Sequence, residues 1–197
     1  MDEVGRGALA GPVTVGVVLI ERDVADAPPG VRDSKLLSPA RRVDLIPQVT
    51  SWCRSWAVGH ASSAEIDDAG IIEALRLAGT RALAMLDPAP DLVLLDGSHD
   101  WLTPPPATLF AGEGAGAPVP VVTKVRADLQ CAAVAAASIL AKVARDDVMT
   151  QAAASYPAFN WERNKGYGST AHRRALQEHG PTPLHRVSWR LTSTADG

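Results

Sequence analysis

The sequence predicts an α/β fold with a partly parallel sheet. Two observations carry that reading. Short β-branched runs bounded by Gly and Pro alternate with longer stretches of helical apolar period. The composition, 46% apolar and 21% charged over 197 residues, is that of a globular chain long enough to bury one core.

Taken in order, Pro12 to Ile20 is the first buried strand, closed by Glu-Arg-Asp. VRDSKLLSPARR is a loop running into a helix that starts at Ser38-Pro39, since proline suits the first helical position. Trp56 to Ala61 is a short strand. Ser62-Ser63-Ala64-Glu65 has capping-box spacing, and apolar residues recur at helical period from Ile71 to Leu86. Asp91 to Asp96 (DLVLLD) is a strand ending on an acid and a glycine. The Pro-, Gly- and Ala-rich stretch from Gly97 to Pro120 is a loop, and Val119 to Lys124 is the next strand. Ala132 to Ala154 is a long helix whose small residues permit close packing on a sheet. A polar loop follows, then a last helix capped by Ser169 or Thr170 and stopped at Gly180-Pro181.

The net charge of −3 and a pI near 5.9 argue against binding nucleic acid by bulk charge. The charge is uneven, however. Leu140 to Arg190 carries eight Lys/Arg against four acids, with three histidines. An acidic site beside a basic flank suits a metal-dependent enzyme acting on a polyanion; ordinary solvated helix faces would give the same count. Cys53 and Cys131 have no metal-ligand spacing and form no disulfide framework, which points to a reducing compartment. No apolar run approaches the ~20 residues that span a bilayer, and no signal-peptide pattern is present. The expectation is a cytoplasmic protein with no membrane partner.

The chain opens MDEVGRGALAGP. Adjacent strand residues face opposite sides, so Asp2 and Glu3 can share a task only where regular structure breaks down, and the glycines suggest such a place. Sites in open α/β sheets lie at the carboxyl ends of strands. Asp96 ends one strand and Asp128 lies just beyond another. Carboxylates forced together repel unless a divalent cation neutralises them, and oxygen-only ligands favour Mg²⁺ or Mn²⁺ over zinc. A cap or a surface charge would explain any one of these acids; the grouping is what argues for chemistry.

DEVGRGALAGPV, DSKLL, LLDG, K-x-x-A-D followed by AAASILAKVARD, and NKGYGSTAHRRAL with GPTPLHR resemble, in that order, the ribonuclease HII family. The resemblance implies a ribonuclease H-like catalytic domain over 1–155, its mixed sheet flanked by helices, and a small helical C-terminal extension over 156–197. It implies an endoribonuclease, monomeric, that cleaves the RNA strand of RNA–DNA hybrids and cuts at single ribonucleotides in duplex DNA with Mn²⁺ or Mg²⁺. Matched motif by motif, the catalytic and metal-binding acids are Asp2, Glu3, Asp96 and Asp128. Asp146 competes for the fourth place, but eighteen residues of helix put it roughly 27 Å from Asp128, so Arg145 and Asp146 read as structural.

Gly5, Arg6 and Gly7 then let backbone groups approach the 2′-OH that distinguishes RNA from DNA. Tyr167, between glycines, suits stacking on a sugar or base. Ser34, Lys35 and Lys165 are candidate phosphate contacts. His172, His179 and His185 read as helix or tail residues, none at ligand spacing. Family members carry a strand leading into the DE pair, and here only Met1 precedes it. The reading is a truncated start that leaves Asp2 loosely held. Asn164 stands where His is common, and Gly112 to Gly116 lies in a longer loop. Ribonuclease HIII, another carboxylate–metal nuclease and an inactive nucleic-acid-binding remnant are the rival readings.

Overall fold

The computed structural model describes residues 1–104 and 119–191; the Gly112–Gly116 loop lies outside them. β1 (Asp2–Val4), β2 (Val13–Leu19) and β3 (Ser55–Ala61) form an antiparallel ladder in that order, and β4 (Val93–Asp96) pairs in parallel with β5 (Val121–Lys124). Met1 joins the two ladders. Its amine donates to the Leu94 carbonyl at 2.8 Å and its carbonyl accepts from the Asp96 N–H at 3.1 Å, the staggered pattern of parallel strands. The spatial order is therefore β3-β2-β1-β4-β5.

Each face of the sheet receives a helix at a glycine. α4 (Ala132–Ser155) crosses β2 where a Cβ on Gly16 would stand 2.3 Å from the Ala137 carbonyl oxygen. α3 (Ile71–Ala84) crosses β3 where a Cβ on Gly59 would stand 2.0 Å from the Ala78 carbonyl oxygen. Alternation along β2 sorts the core accordingly. Val13, Val15 and Val17 pack with Ala74, Leu75 and Ala78 on the α3 side, whereas Val18 packs with Ala136, Ala137 and Leu140 on the α4 side. α1 (Pro39–Trp52), capped by Ser38, lies against α4.

The helix expected from Ile71 is α3, ending at Ala84, and the capping box at Ser62 and Glu65 is formed on a separate short α2 (Ser63–Ala69), joined to α3 across Gly70 at φ +82°. Two readings are corrected here. Asp2 and Glu3 do not lie outside regular structure but within β1, and the break comes at Gly5, where φ is +88°. Nor is Asp2 loosely held: Met1 is 4% exposed, and its backbone is locked to β4.

The second half of α4 packs with α6 (Thr170–His179) and the short α5 (Trp161–Asn164) around Met149, Phe159 and Trp161, and Leu9 and Ala10 enter the same cluster. The C-terminal segment thus builds its core on the residues that follow the Gly5 turn. His172, a helix residue of α6 as expected, and His185 in the segment beyond it are both buried there, their Nε2 atoms 3.0 Å apart. No helix among the described residues is long and apolar enough to cross a membrane.

Candidate active site

Met1 sits in parallel register with Leu95, which brings Asp2 beside Asp96 at the carboxyl end of β4. Asp96 Oδ1 accepts the Ala127 N–H at 2.7 Å. That bond draws in the single 3₁₀ turn Ala127–Leu129, entered through Arg126 at φ 57°, and with it Asp128. Local chain geometry therefore gathers three aspartates at adjoining strand ends, with Glu3 next along β1.

The charge of Asp96 acts on Asp2, Glu3 and Asp128 alike. Asp2, 4% exposed, is pushed up to about 7 by burial, with the charges of Glu3 and Asp96 adding to it; Ser138 and the Glu3 N–H, 2.8 Å from Asp2 Oδ1, oppose the rise. Burial also raises Glu3, against the pull of Arg6, whose guanidinium lies 3.5 Å away. Asp128 is raised by burial and by the charges of Asp96 and Asp33. Lys35 faces this group. Burial works against its charge, but Asp33, Asp2, Asp128 and Asp96 outweigh burial and hold the ammonium above its usual range.

A cleft of about 250 Å³ opens here, bordered by Asp2, Glu3, the Gly5–Gly7 turn, Ser34, Lys35 and Tyr167. Ser34 is buried, and its hydroxyl is committed to Ser138 at 2.8 Å, which pins the Ser34–Leu36 turn to α4. The cleft also takes in Lys142, which sequence reasoning missed. Its ammonium binds Asp146 at 2.6 Å and lies 5.8 Å from the Tyr167 ring centre. Asp33 was missed as well; its signal was the turn spacing D-S-K, since its carboxylate accepts the Lys35 N–H at 3.0 Å.

Lys165 is not brought to the cleft. Its backbone is left-handed at φ 50°, and its ammonium reaches Thr150 at 2.5 Å and the Glu162 carbonyl at 2.8 Å, beside a separate groove between α1 and α4. Asp146 is likewise occupied, paired with Lys142 and with Arg42 at 3.6 Å. Arg145, fully buried, donates to the carbonyls of Pro12, Ala10 and Lys165 and supports Tyr167 from below at 5.2 Å.

Among the described residues no three ligand side chains are already drawn together as a finished metal cage. The donor set nevertheless fits a hard divalent cation. All four acids offer oxygen, and Asp2, Glu3 and Asp128 are each held above the ordinary carboxylate range, a strain that a dication relieves.

Fold and site together define a ribonuclease H-like protein with carboxylates gathered beside a cleft at the carboxyl end of β4. Comparison with known proteins narrows the class. The family model for ribonuclease HII matches residues 1–192. Ribonuclease HII of Streptomyces coelicolor is 47% identical over 189 residues, which cover 96% of this chain and 75% of that protein. The ribonuclease HII of Synechococcus sp. strain WH7803 is 45% identical over 202 residues, covering 100% and 97%. The crystal structure of ribonuclease H2 from Pyrococcus horikoshii OT3 superposes with a TM-score of 0.73 at 26% identity, covering 96% of this chain and 92% of that one. The chain belongs to the ribonuclease HII family, whose members depend on divalent metal.

Proposed function

We propose that the chain hydrolyses the RNA strand of RNA–DNA hybrids and cuts 5′ of single ribonucleotides in duplex DNA, leaving 3′-hydroxyl and 5′-phosphate ends. The observation that carries this reading is the convergence of Asp2, Asp96 and Asp128 on one sheet edge, beside the exposed Arg6–Gly7 turn. Asp2, Glu3, Asp96 and Asp128 would hold Mn²⁺ or Mg²⁺. Such cations supply Lewis acidity for an in-line displacement at phosphorus, activating water and stabilising the leaving 3′ oxygen.

The chain's own residues do the rest. Lys35 and Lys142 meet the phosphate backbone at the cleft rim. The turn offers backbone polar groups to a 2′-hydroxyl. Tyr167, 37% exposed, presents its ring to a sugar or base. The division into a catalytic domain, 1–155, and a C-terminal extension, 156–197, is part of this reading, supported by the packing of Phe159, Trp161, Ala175 and Leu176 against Met149 and Ala153 of α4. The protein works as a monomer in the cytoplasm, a reducing compartment in keeping with two free cysteines.

The test is cleavage of three labelled duplexes: a continuous hybrid, DNA with one ribonucleotide, and DNA alone, each with Mn²⁺, Mg²⁺ or EDTA. Cutting of the first two only, and only with metal, is expected. Cutting of plain DNA, or cutting in EDTA, would overturn the reading.

A further inference from the structure

Arg186 is fully buried yet forms no ion pair among the described residues. Burying a guanidinium without a carboxylate is costly unless its hydrogen bonds are met, and here backbone carbonyls alone meet them. Nη2 donates to Gly5 O at 2.7 Å and Gly11 O at 3.1 Å, Nη1 to Arg6 O at 2.9 Å, and Nε to Gly11 O at 3.2 Å.

The planar fork therefore fixes two consecutive peptide groups. In a trans peptide the C=O and the following N–H point in opposite directions. With the carbonyls of Gly5 and Arg6 drawn inward, the N–H groups of Arg6 and Gly7 must face outward. No acceptor for either is found among the described residues, and both residues are exposed. Two successive outward N–H groups form a small concavity for an oxygen ligand.

Arg186 is itself held from several sides. Its N–H donates to Leu9 O at 2.9 Å. The next two residues donate to Asp67 of α2, from Val187 N at 2.9 Å and Ser188 N at 3.0 Å. The Trp189 ring centre lies 4.7 Å from the guanidinium carbon. The fork cannot drift without dislodging the tail.

We propose that Arg186, though far from the acids in sequence, is a positioning residue for ribonucleotide recognition: it sets the Gly5–Arg6–Gly7 turn so that the Arg6 and Gly7 N–H groups meet the substrate's 2′-oxygen. This rests on the reading of the chain as a ribonucleotide-directed nuclease.

Arg186→Lys keeps the charge but loses the fork. Its kcat/KM on DNA with one ribonucleotide should fall at least about tenfold further than on a continuous hybrid, because a long hybrid offers many registers and one ribonucleotide offers one. A folded variant with equal losses on both substrates, or with none, overturns the proposal. If Arg186→Lys does not fold, the ¹⁵N-labelled parent decides, titrated in EDTA with the one-ribonucleotide duplex and its all-DNA counterpart. Arg6 and Gly7 amide shifts seen only with the ribonucleotide support the proposal, and their absence overturns it. Failure of the underlying reading looks different: the unsubstituted protein would then cut neither substrate.

Discussion

The carboxylate of Asp96 accepts the Ala127 N–H at 2.7 Å, and this bond fastens the turn carrying Asp128 to the end of β4. The acid that lies next to Asp2 across the sheet thus also organises the third aspartate. Oδ1 is engaged in that bond, and among the described residues no hydrogen bond reaches Oδ2.

Asp2→Asn, Glu3→Gln, Asp96→Asn and Asp128→Asn should each lower cleavage by about a hundredfold or more, as loss of a group acting on transition-state charge does. Asp2→Asn should also be more stable than the parent in metal-free buffer at pH 8. A carboxyl raised from 3.8 to about 7 in the fold costs stability as pH climbs through that window, and the amide carries no such penalty. Thermal midpoints at pH 8 and pH 5 check this: the gain should be full at the first and reduced to roughly a third at the second. Asp146→Asn should do the reverse, lowering the midpoint because Arg42 and Lys142 lose a charged partner, while leaving cleavage within about tenfold.

Much of this site was legible before the fold was seen, and the exceptions share a cause. The β-branched run at 13–19, the apolar run ending on Asp96 and the Ala-rich helix at 132–155 announce themselves by local pattern. β1 does not, because three residues with two acids make a strand only by pairing with β2 and, through Met1, with β4. Lys165 looked like a phosphate contact because a loop lysine beside KGYG carries no mark of direction; the left-handed backbone at 165 turns it to Thr150. His172 and His185 lie thirteen positions apart and meet only after α6 has packed. Arg186 closes the GPTPLHR motif, but its task cannot be read there, since its partners are carbonyls and carbonyls have no residue identity.

Gly59→Ala should be among the most damaging small changes in the sheet. Its new methyl would lie 2.0 Å from the Ala78 carbonyl oxygen and 2.8 Å from Ala82 N, both backbone atoms of α3. The helix must lift from β3, at about 1–3 kcal/mol or more. Gly7→Ala, with nothing within 4 Å of the new atom, should leave the midpoint close to that of the parent. Urea midpoints for the two variants test the contrast; equal midpoints would contradict the packing described.

Acid should loosen the C-terminal core first. His185 is lowered from 6.5 to about 4 by burial, with the charge of His172 adding to it, and His172 is lowered by burial. Both are therefore neutral in the fold but protonate more readily when unfolded. Their contribution is fully present above pH 6.5 and is lost as pH falls towards 4. Trp161 donates to His172 Nε2 at 3.2 Å in the same cluster. Tryptophan fluorescence melts between pH 7 and pH 4.5 should show a falling midpoint, and His185→Gln should flatten that slope while lowering the midpoint at pH 7.

The lysines separate the two grooves. Lys35 and Lys142 border the acidic cleft, whereas Lys165 is bonded to Thr150 and the Glu162 carbonyl beside the groove between α1 and α4. A phosphate contact contributes counterion release, so its loss raises KM and reduces the slope of log affinity against log salt by about one. Lys35→Ala should show both effects. Lys142→Ala should show them together with a lower midpoint, because Asp146 loses a partner at 2.6 Å. Lys165→Ala should lower the midpoint slightly and leave the salt slope unchanged, since its charge is directed elsewhere. Binding of a continuous hybrid in EDTA between 50 and about 300 mM salt, a range over which phosphate contacts dominate affinity, supplies the slopes. A shallower slope for Lys165→Ala with an unchanged slope for Lys35→Ala would mean that the nucleic acid runs over the α1–α4 groove instead of the cleft bordered by Asp2 and Glu3.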